Sequence, residues 1–391
     1  MNTHPEKISS PTVPYWRLSG FYFFYFASLG ALLPYWSPYL KTLGFSSFQI
    51  GFLMAIVMGT KIIAPNIWGW IADHTGKRMV IVRLASLLSV VSFAGVFINS
   101  HFGWLVIVMT TFSFFWNASL PQFEAITMNY LGGETHRYNT IRMWGSIGFI
   151  IAAVGLGWLV EWRDLSLVPL VILILFVTIW FSSLGVPEHA IGHMHIERQP
   201  LRQVLMRKEV LALLLSCLLI QASHGAYYTF YSIYLEEFGY KNSLIGQLWA
   251  LGVIAEVVIF IFMFHLLPRF GARNLFLFAL LLTSIRWVLV SQWPESLVWL
   301  IIAQCLHAAS FGIVHAVAIH LIHQFFTGKH QGRGQALYSS MSFGVGGALG
   351  SFLSGVLWQD MGGQNVFLMS SVFAVLALMV AIWGVREKVV A

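Results

Sequence analysis

A series of long apolar runs separated by short polar connections constrains the fold of this 391-residue chain more than any other feature. Each run has about 20 residues, enough to cross the ~30 Å hydrocarbon core of a bilayer as a helix. Helices are expected because backbone groups must be hydrogen-bonded within lipid, and these runs are too long for barrel strands. The sequence therefore predicts an all-α polytopic membrane protein. The twelve predicted spans are 16–40, 48–71, 79–99, 103–130, 138–160, 165–185, 209–235, 243–267, 274–292, 296–323, 334–358 and 364–384.

The composition supports lipid as the main solvent of the chain. Hydrophobic residues make up 58% of the sequence and charged residues only 9%, whereas a soluble domain carries about 25% charged residues. Too few polar groups are present to cover the surface of a soluble protein. The lipid bilayer is accordingly an expected partner.

The distribution of basic residues predicts the orientation. With a cytoplasmic N-terminus, 16 of the 22 lysines and arginines lie on the cytoplasmic side, and Lys41, Arg163 and Lys241 lie outside. This bias follows the positive-inside rule. We therefore expect both termini in the cytoplasm and the chain in the inner (plasma) membrane. The rule also accounts for the net charge of +7, so no nucleic-acid partner is expected.

An internal repeat divides the chain into two halves. The segment "SPYLKTLGFSSFQIGFL" at 37–53 shares seven identities with "SIYLEEFGYKNSLIGQL" at 232–248. The repeat predicts two pseudo-symmetric six-helix bundles, at 1–185 and 209–391, joined by a polar cytoplasmic central loop at 186–208. Parallel repeats with a solute site between them are the architecture of many secondary transporters.

The segment "GWIADHTGKR" at 69–78 resembles the signature between helices 2 and 3 of the major facilitator superfamily. The matching residues are Gly69, Asp73, Gly76, Lys77 and Arg78. His74 replaces the usual basic residue after the aspartate, and in the second half Pro268 stands where the aspartate would be. The resemblance covers the whole chain and implies a transporter rather than an enzyme.

The signature has a physical reading as a gate. Gly69 permits close helix approach, and Asp73 can meet the N-terminus of a helix from the other half, where the helix dipole favours an anion. The resemblance implies that this contact closes the cytoplasmic side. The alternative is a solvated turn that fixes only the topology.

Ionisable residues inside the predicted spans are candidates for function. A charge at mid-bilayer costs ~2.5–3.5 kcal/mol on insertion scales, so it is expected to face a cavity and a partner. The candidates are Lys61, Glu124, Arg142, His224, Glu256, Arg286, His307 and His315. Glu124 and Arg142 flank one cytoplasmic hairpin at similar depth, so they can reach each other. For Lys61, a structural or snorkelling role and a functional role are equally supported.

The pattern of these charges resembles that of sugar–proton symporters of the lactose permease type. The resemblance implies that Glu124 and Arg142 hold the substrate, and that Glu256, Arg286 and His307 take part in proton coupling. Two departures stand beside His307, where the permeases have a lysine and a glutamate and this chain has Gln304 and Ser310. The acidic residues of their helix 7 also have no counterpart. We therefore assign the proton to Glu256.

The segment "RMWGSIGF" at 142–149 resembles the start of helix 5 in the phenylpropionate permease family. The resemblance implies proton-driven uptake of a small organic solute, for example an aromatic carboxylate such as 3-phenylpropionate. Arg142 could grip a carboxylate through two parallel hydrogen bonds. Trp116 and Asn117 in helix 4 are further substrate-binding candidates. Ordinary helix packing is the alternative for both.

The leading prediction is a monomeric, proton-coupled symporter that works by alternating access. A proton-linked efflux antiporter for amphipathic compounds and a sugar or nucleoside symporter are the alternatives. A membrane sensor without transport is a third reading. The sequence contains no phosphate-binding P-loop and no zinc-ligand spacing, so we expect no metal and no cofactor beyond the proton gradient.

Overall fold

A computed structural model describes residues 13–132, 134, 137–188, 202–327 and 331–386. Within these ranges the regular structure is helical and contains no strand. Eleven helices are long and apolar enough to cross a membrane, and the last of them contains two of the predicted spans. The prediction of an all-α membrane protein is thus confirmed. The middle of the predicted central loop, 189–201, lies outside the described residues.

The helices of the first half are α1 Tyr15–Thr42, α2 Ser47–Thr75, α3 Arg78–Phe97, α4 Phe102–Leu131, α5 Tyr138–Trp162 and α6 Leu165–Leu184. Those of the second half are α7 Lys208–Glu237, α8 Asn242–Phe270, α9 Ala272–Gln292, α10 Leu297–Phe325 and the long helix Gln331–Gly384. We divide this last helix into α11 and α12 at Gly362, where the backbone leaves helical geometry with φ 76°. A short helical turn, Arg202–Leu205, precedes α7.

Local signals fix both ends of α2. The Ser46 hydroxyl accepts a hydrogen bond from the Gln49 backbone N–H, and the Gln49 side chain accepts one from the Ser46 backbone N–H. This capping box satisfies two backbone donors that a helix start leaves free. Gly76 ends α2 with φ 66°, a left-handed conformation that glycine adopts without strain.

The repeated sequence places equivalent glycines where helices cross within each half. A Cβ on Gly30 of α1 would lie 2.5 Å from the Phe149 carbonyl oxygen of α5. A Cβ on Gly225 of α7, the equivalent position in the repeat, would overlap the backbone of Gly350 in α11. Both crossings are therefore close backbone contacts that require the absence of a side chain.

A second pair of repeated glycines lies between the halves. Gly51 of α2 packs against Gly355 of α11, and a Cβ on either would overlap the other. Gly246 of α8, the repeat equivalent of Gly51, packs against the Ala153 carbonyl oxygen of α5. The two contacts between the halves are thus built from the same repeated residue. This explains why the chain contains the segment twice.

Polar contacts join the halves at the end where α1 meets α2. Lys41 Nζ lies 3.0 Å from Glu237 Oε1, and Lys241 Nζ lies 3.4 Å from Glu161 Oε1. The Ser243 backbone N–H donates to Glu161 Oε2 over 3.1 Å. These residues come from the ends of α1, α5, α7 and α8, so polar contacts connect the two halves at this end of the interface.

Candidate functional site

Three charged or titratable side chains form a hydrogen-bonded chain inside the second half. Glu256 of α8 lies with Oε1 2.6 Å from His307 Nε2 of α10. His307 Nδ1 lies 2.8 Å from Nη1 of Arg286 in α9. Arg286 is fully buried, and its guanidinium lies over the rings of Tyr227 and Trp287, 4.5 Å and 4.3 Å from their centroids. The structure thus brings together all three residues predicted for proton coupling.

This geometry determines which nitrogen of His307 carries the proton. The Arg286 guanidinium is always charged and can only donate, so His307 Nδ1 must accept with its lone pair. The single proton of the neutral ring is then on Nε2 and points to Glu256 Oε1. A second proton on Nδ1 would face an N–H of Arg286. Glu256 is therefore the group of this chain that can gain or lose a proton without breaking the contact between His307 and Arg286.

Ser310 and His224 complete the surroundings of Arg286. Arg286 Nη1 donates to Ser310 Oγ over 2.8 Å, and His224 Nε2 lies 3.5 Å from the same nitrogen. His224 Nδ1 is 2.8 Å from the Ile220 carbonyl oxygen, which only an N–H can satisfy. His224 Nε2 is consequently an acceptor towards Arg286.

A π-helical segment, Ala308–Ile313, interrupts α10 directly after His307. Such insertions are frequent at functional sites because they change the direction of the side chains that follow. Here His307 and Ser310 both contact Arg286 Nη1. Ser310 thus contributes a hydroxyl to the charged chain.

The first-half arginine has different surroundings. The Arg142 guanidinium carbon lies 3.7 Å from the centroid of the Phe26 ring and 5.7 Å from that of Tyr22, both in α1. Glu124 of α4 accepts a hydrogen bond from the Tyr138 hydroxyl over 3.3 Å. Both Glu124 and Arg142 are half-buried. Among the described residues no ion pair joins them.

Arg142 faces the second half across the interface. Its charge acts on Glu124 in its own half and, in the other half, on Glu256 of α8 and His315 of α10. We call the region between the halves where Arg142 faces Glu256 the central site. Residues from both halves therefore contribute charge to this site.

Trp116 and Asn117 lie in contacts between first-half helices. The Asn117 amide donates to the Val57 carbonyl oxygen over 3.0 Å and to Thr60 Oγ1 over 2.9 Å, which ties α4 to α2. Trp116 is buried and stacks on Tyr25 of α1 with centroids 5.2 Å apart. These contacts fix α4 relative to the two helices beside it.

The residues of the signature segment at 69–78 form one polar cluster. It lies at the end of the molecule opposite to the Lys41–Glu237 and Lys241–Glu161 ion pairs. Asp73 Oδ1 pairs with Arg78 Nη2 over 2.5 Å, and Arg78 Nη1 donates to Gln122 Oε1 of α4 over 2.6 Å. A Cβ on Gly69 would lie 3.5 Å from the Gln122 amide nitrogen, and exposed Lys77 precedes α3. The Asp73 side chain is 48% exposed. Its described ion pair therefore lies within the first half.

Sequence reasoning missed the supporting residues of both arginines. Ser310 follows His307 by three residues, a spacing that places two side chains on one helix face, so this signal was available. Tyr138 begins α5 and reaches Glu124 across the hairpin between α4 and α5. Phe26 lies in an aromatic-rich run in which no pattern distinguishes the ring under Arg142.

The fold and the site define a class of protein. Among the described residues, eleven helices are long and apolar enough to cross a membrane, the last of them divided at Gly362, and charged residues of both halves lie at one central site. This is the architecture of a secondary transporter of the major facilitator type. The chain belongs to the MFS_1 like family, whose match spans residues 15–369. The prediction of a transporter rather than an enzyme is confirmed.

Individual relatives and solved structures agree with this family. The chain is 30% identical to the "Probable 3-phenylpropionic acid transporter" of Escherichia coli (strain K12), over 94% of this chain and 96% of the relative. It is 23% identical to the "Maltose permease" of Geobacillus stearothermophilus, over 92% of both. The crystal structure of the nucleoside transporter NupG superposes with a TM-score of 0.82 at 16% identity, over 96% of this chain and 99% of that one. This last likeness shows the fold alone.

Proposed function

We propose that the protein is a proton-coupled symporter that takes up a small organic anion, of the aromatic carboxylate type exemplified by 3-phenylpropionate. The observation that carries the proposal is the arrangement of the central site. A Glu256–His307–Arg286 chain in one half faces Arg142, which has no ion-pair partner among the described residues, in the other. The name of the Escherichia coli relative supports the solute class.

Arg142 binds the carboxylate of the solute in this proposal. A guanidinium can hold a carboxylate through two parallel hydrogen bonds, and the rings of Phe26 and Tyr22 beside it suit an aromatic group. Glu124, held by Tyr138, repels the carboxylate and so directs it towards Arg142. Trp116 and Asn117 belong to the wall behind the bound solute.

Glu256 couples the proton to the solute. When ionised, Glu256 interacts with Arg286 and also with Arg142 of the other half. A solute carboxylate on Arg142 replaces part of this interaction, so binding favours the protonated form of Glu256. An unpaired charge in a closed, dry site is costly. The carrier therefore changes state either empty, with Glu256 ionised, or loaded with both proton and anion.

Alternating access follows from the two ends of the interface. With the predicted topology, the end joined by Lys41–Glu237 and Glu161–Lys241 is the external one. Rocking of the halves breaks these contacts and brings Asp73 towards the second half. In this proposal the protein works as a monomer in the inner membrane, with both termini cytoplasmic, and uses only the proton gradient.

The test is a pH recording outside de-energised right-side-out vesicles on addition of 3-phenylpropionate, maltose or uridine. We expect 3-phenylpropionate to make the external medium more alkaline in vesicles that contain the protein, and not in vesicles without it. Alkalinisation by maltose or uridine instead would assign sugar or nucleoside symport. No response to the panel, together with resistance of producing cells to amphipathic dyes, would favour efflux.

A further inference from the structure

Lys61 lies at the centre of α2, where a lysine cannot reach either membrane surface. It is the middle residue of the 29-residue helix Ser47–Thr75. Each end of α2 is therefore about 21 Å away along the helix axis, at 1.5 Å per residue. A lysine near a helix end can extend its ammonium to the interface, but from this position it cannot. This central position favours a role inside the bundle over the snorkelling role considered from the sequence.

The burial pattern of α2 shows which way Lys61 faces. The residues most exposed on α2 include Ile63, Ile67 and Trp70, at 55%, 43% and 63%. They share one face, which is the lipid face. At 3.6 residues per turn, Lys61 lies roughly 150° round the helix from this face, on the side of buried Val57. Lys61 is itself half-buried, and it lies on the side of α2 that faces away from lipid.

No described carboxylate neutralises Lys61. Its Nζ lies 3.4 Å from Met58 Sδ, a weak acceptor. No ion pair of Lys61 occurs in the part of the chain that the structure describes. An ammonium offers three donors, so most of its hydrogen-bonding capacity remains available to a bound group.

A series of contacts places Lys61 at the level of the first-half guanidinium. Its neighbour Thr60 accepts a hydrogen bond from Asn117 of α4. Trp116, next to Asn117, stacks on Tyr25 of α1. The Arg142 guanidinium lies over the ring of Phe26, the next residue of α1 after Tyr25. Two cations without described ion-pair partners therefore lie at one depth of the first half.

We propose that Lys61 is a second solute-binding cation, which binds the anionic group of the solute together with Arg142. This inference rests on the proposed function and specifies its substrate class as organic anions. The described charges support it: in the interior of the first-half spans, away from their ends, the cations Lys61 and Arg142 outnumber the one acid, Glu124. A solute with one carboxylate balances the remaining positive charge, whereas a neutral sugar or nucleoside leaves it unbalanced.

The test measures binding of 3-phenylpropionate and its neutral amide, 3-phenylpropionamide, to purified full-length protein in detergent. We expect Lys61→Gln to weaken carboxylate binding by about tenfold or more and to leave binding of the amide unchanged. Lys61→Arg keeps the charge and retains carboxylate binding. The matched control, Lys208→Gln, changes an exposed lysine at the start of α7 and leaves both affinities unchanged.

Two outcomes separate failure of this inference from failure of the proposed function. Carboxylate binding by Lys61→Gln at the wild-type affinity would overturn the role of Lys61 alone. A wild-type protein that does not bind 3-phenylpropionate would overturn the proposed function and this inference together. Equal wild-type affinity for the amide and the carboxylate would overturn the assignment to anions.

A cysteine-labelling experiment tests directly whether the side chain at position 61 faces the solute. In a Cys305→Ser background, which removes the exposed native thiol, Lys61→Cys is treated with the anionic reagent 2-sulfonatoethyl methanethiosulfonate. We expect labelling that 3-phenylpropionate slows, and no labelling of the lipid-facing control Ile63→Cys. An unlabelled thiol at 61, or labelling that 3-phenylpropionate does not slow even at concentrations well above its Kd for the Lys61→Cys protein, would contradict the proposal.

Discussion

The two halves of the molecule each place an arginine towards the central site, but they treat the two charges in opposite ways. Arg286 is fully buried and is held by His307 and Ser310, each 2.8 Å from the same nitrogen. Arg142 is half-buried and contacts aromatic rings instead, with Phe26 the nearest at 3.7 Å. Arg286 is held through Nη1 alone, with Nε and Nη2 buried without a described hydrogen-bond partner, whereas the half-buried Arg142 remains available to an incoming group.

This contrast assigns different tasks to the halves under the proposed function. A buried charge that is hydrogen-bonded to a histidine can fix the position of that histidine and of the acid beyond it. A charge without a described ion-pair partner can bind an anion from outside. Because Glu256 interacts with both arginines, it links the two tasks across the interface. The experiments below test this division of roles, beginning with the largest expected effect.

Replacement of Glu256 by glutamine tests the proposed role of the second half in proton coupling. Glu256→Gln keeps the shape and a hydrogen-bond acceptor for His307 but removes the group that changes protonation. We expect loss of all proton-driven accumulation of 3-phenylpropionate in proteoliposomes, while binding of the solute survives. Glu295→Gln, at an exposed glutamate of the connection between α9 and α10, is the matched control. Accumulation at the wild-type level in Glu256→Gln would show that the proton is carried elsewhere.

Replacement of Arg142 tests the proposed role of the first half in solute binding. Arg142→Gln removes the charged donors, and we expect the Kd for 3-phenylpropionate to rise about ten- to a hundredfold, since hydrogen bonds to charged groups are worth about 1.5–3 kcal/mol. Arg142→Lys keeps the charge but lacks the planar guanidinium fork, so its Kd for 3-phenylpropionate is expected to lie between those of the wild type and Arg142→Gln. Titration of purified protein measures both.

The control for Arg142 is Arg163→Gln, which changes an exposed arginine at the far end of the same helix. Its Kd should equal that of the wild type. If Arg142→Gln also retained the wild-type Kd, the distinction between the arginines would lose its functional meaning. The solute would then have to be bound by other groups.

Much of the fold follows from sequence because membrane burial leaves few solutions. Length and apolarity are enough to predict helices, and the repeat predicts which helices correspond. The glycines that the repeat aligns, Gly30 with Gly225 and Gly51 with Gly246, occupy equivalent crossings in the structure. Interruptions inside spans were not predicted. The break of α7 at His224 and the π-helical segment after His307 depend on tertiary contacts rather than on composition.

The sequence predicted how deep each site residue lies along its span, but not the direction in which its side chain points. Spacing along a span shows how deep Glu124 and Arg142 lie, and it suggested that they could reach each other. Whether they pair depends on side-chain conformation, and here Tyr138 donates to Glu124 while Phe26 lies under the Arg142 guanidinium. Contacts between residues far apart in the chain, such as Arg78 with Gln122, leave no local signal.

Removal of one hydroxyl from the hydrogen-bonded chain of the second half is expected to have a smaller effect, on stability. Ser310→Ala deletes an acceptor of the buried Arg286, and we expect the free energy of unfolding to fall by about 1–2 kcal/mol, within the range for a buried group that loses a partner. Thermal unfolding in detergent measures the change. Ser89→Ala, at a buried first-half serine bonded within its own helix, is the control and should have a smaller effect.

Removal of one hydroxyl from the first half should have the smallest effect. Tyr138→Phe deletes the donor to Glu124, but the hydrogen bond is long, at 3.3 Å, and Glu124 is half-buried, so water can take its place. We therefore expect a loss of less than about 1 kcal/mol in the free energy of unfolding, measured by the same thermal method. A loss as large as that of Ser310→Ala would mean that the first half holds its charges as firmly as the second. The contrast between a charge held inside the protein and an available charge would then fail, because Glu124 would belong to a fixed network rather than to a surface that a solute can occupy.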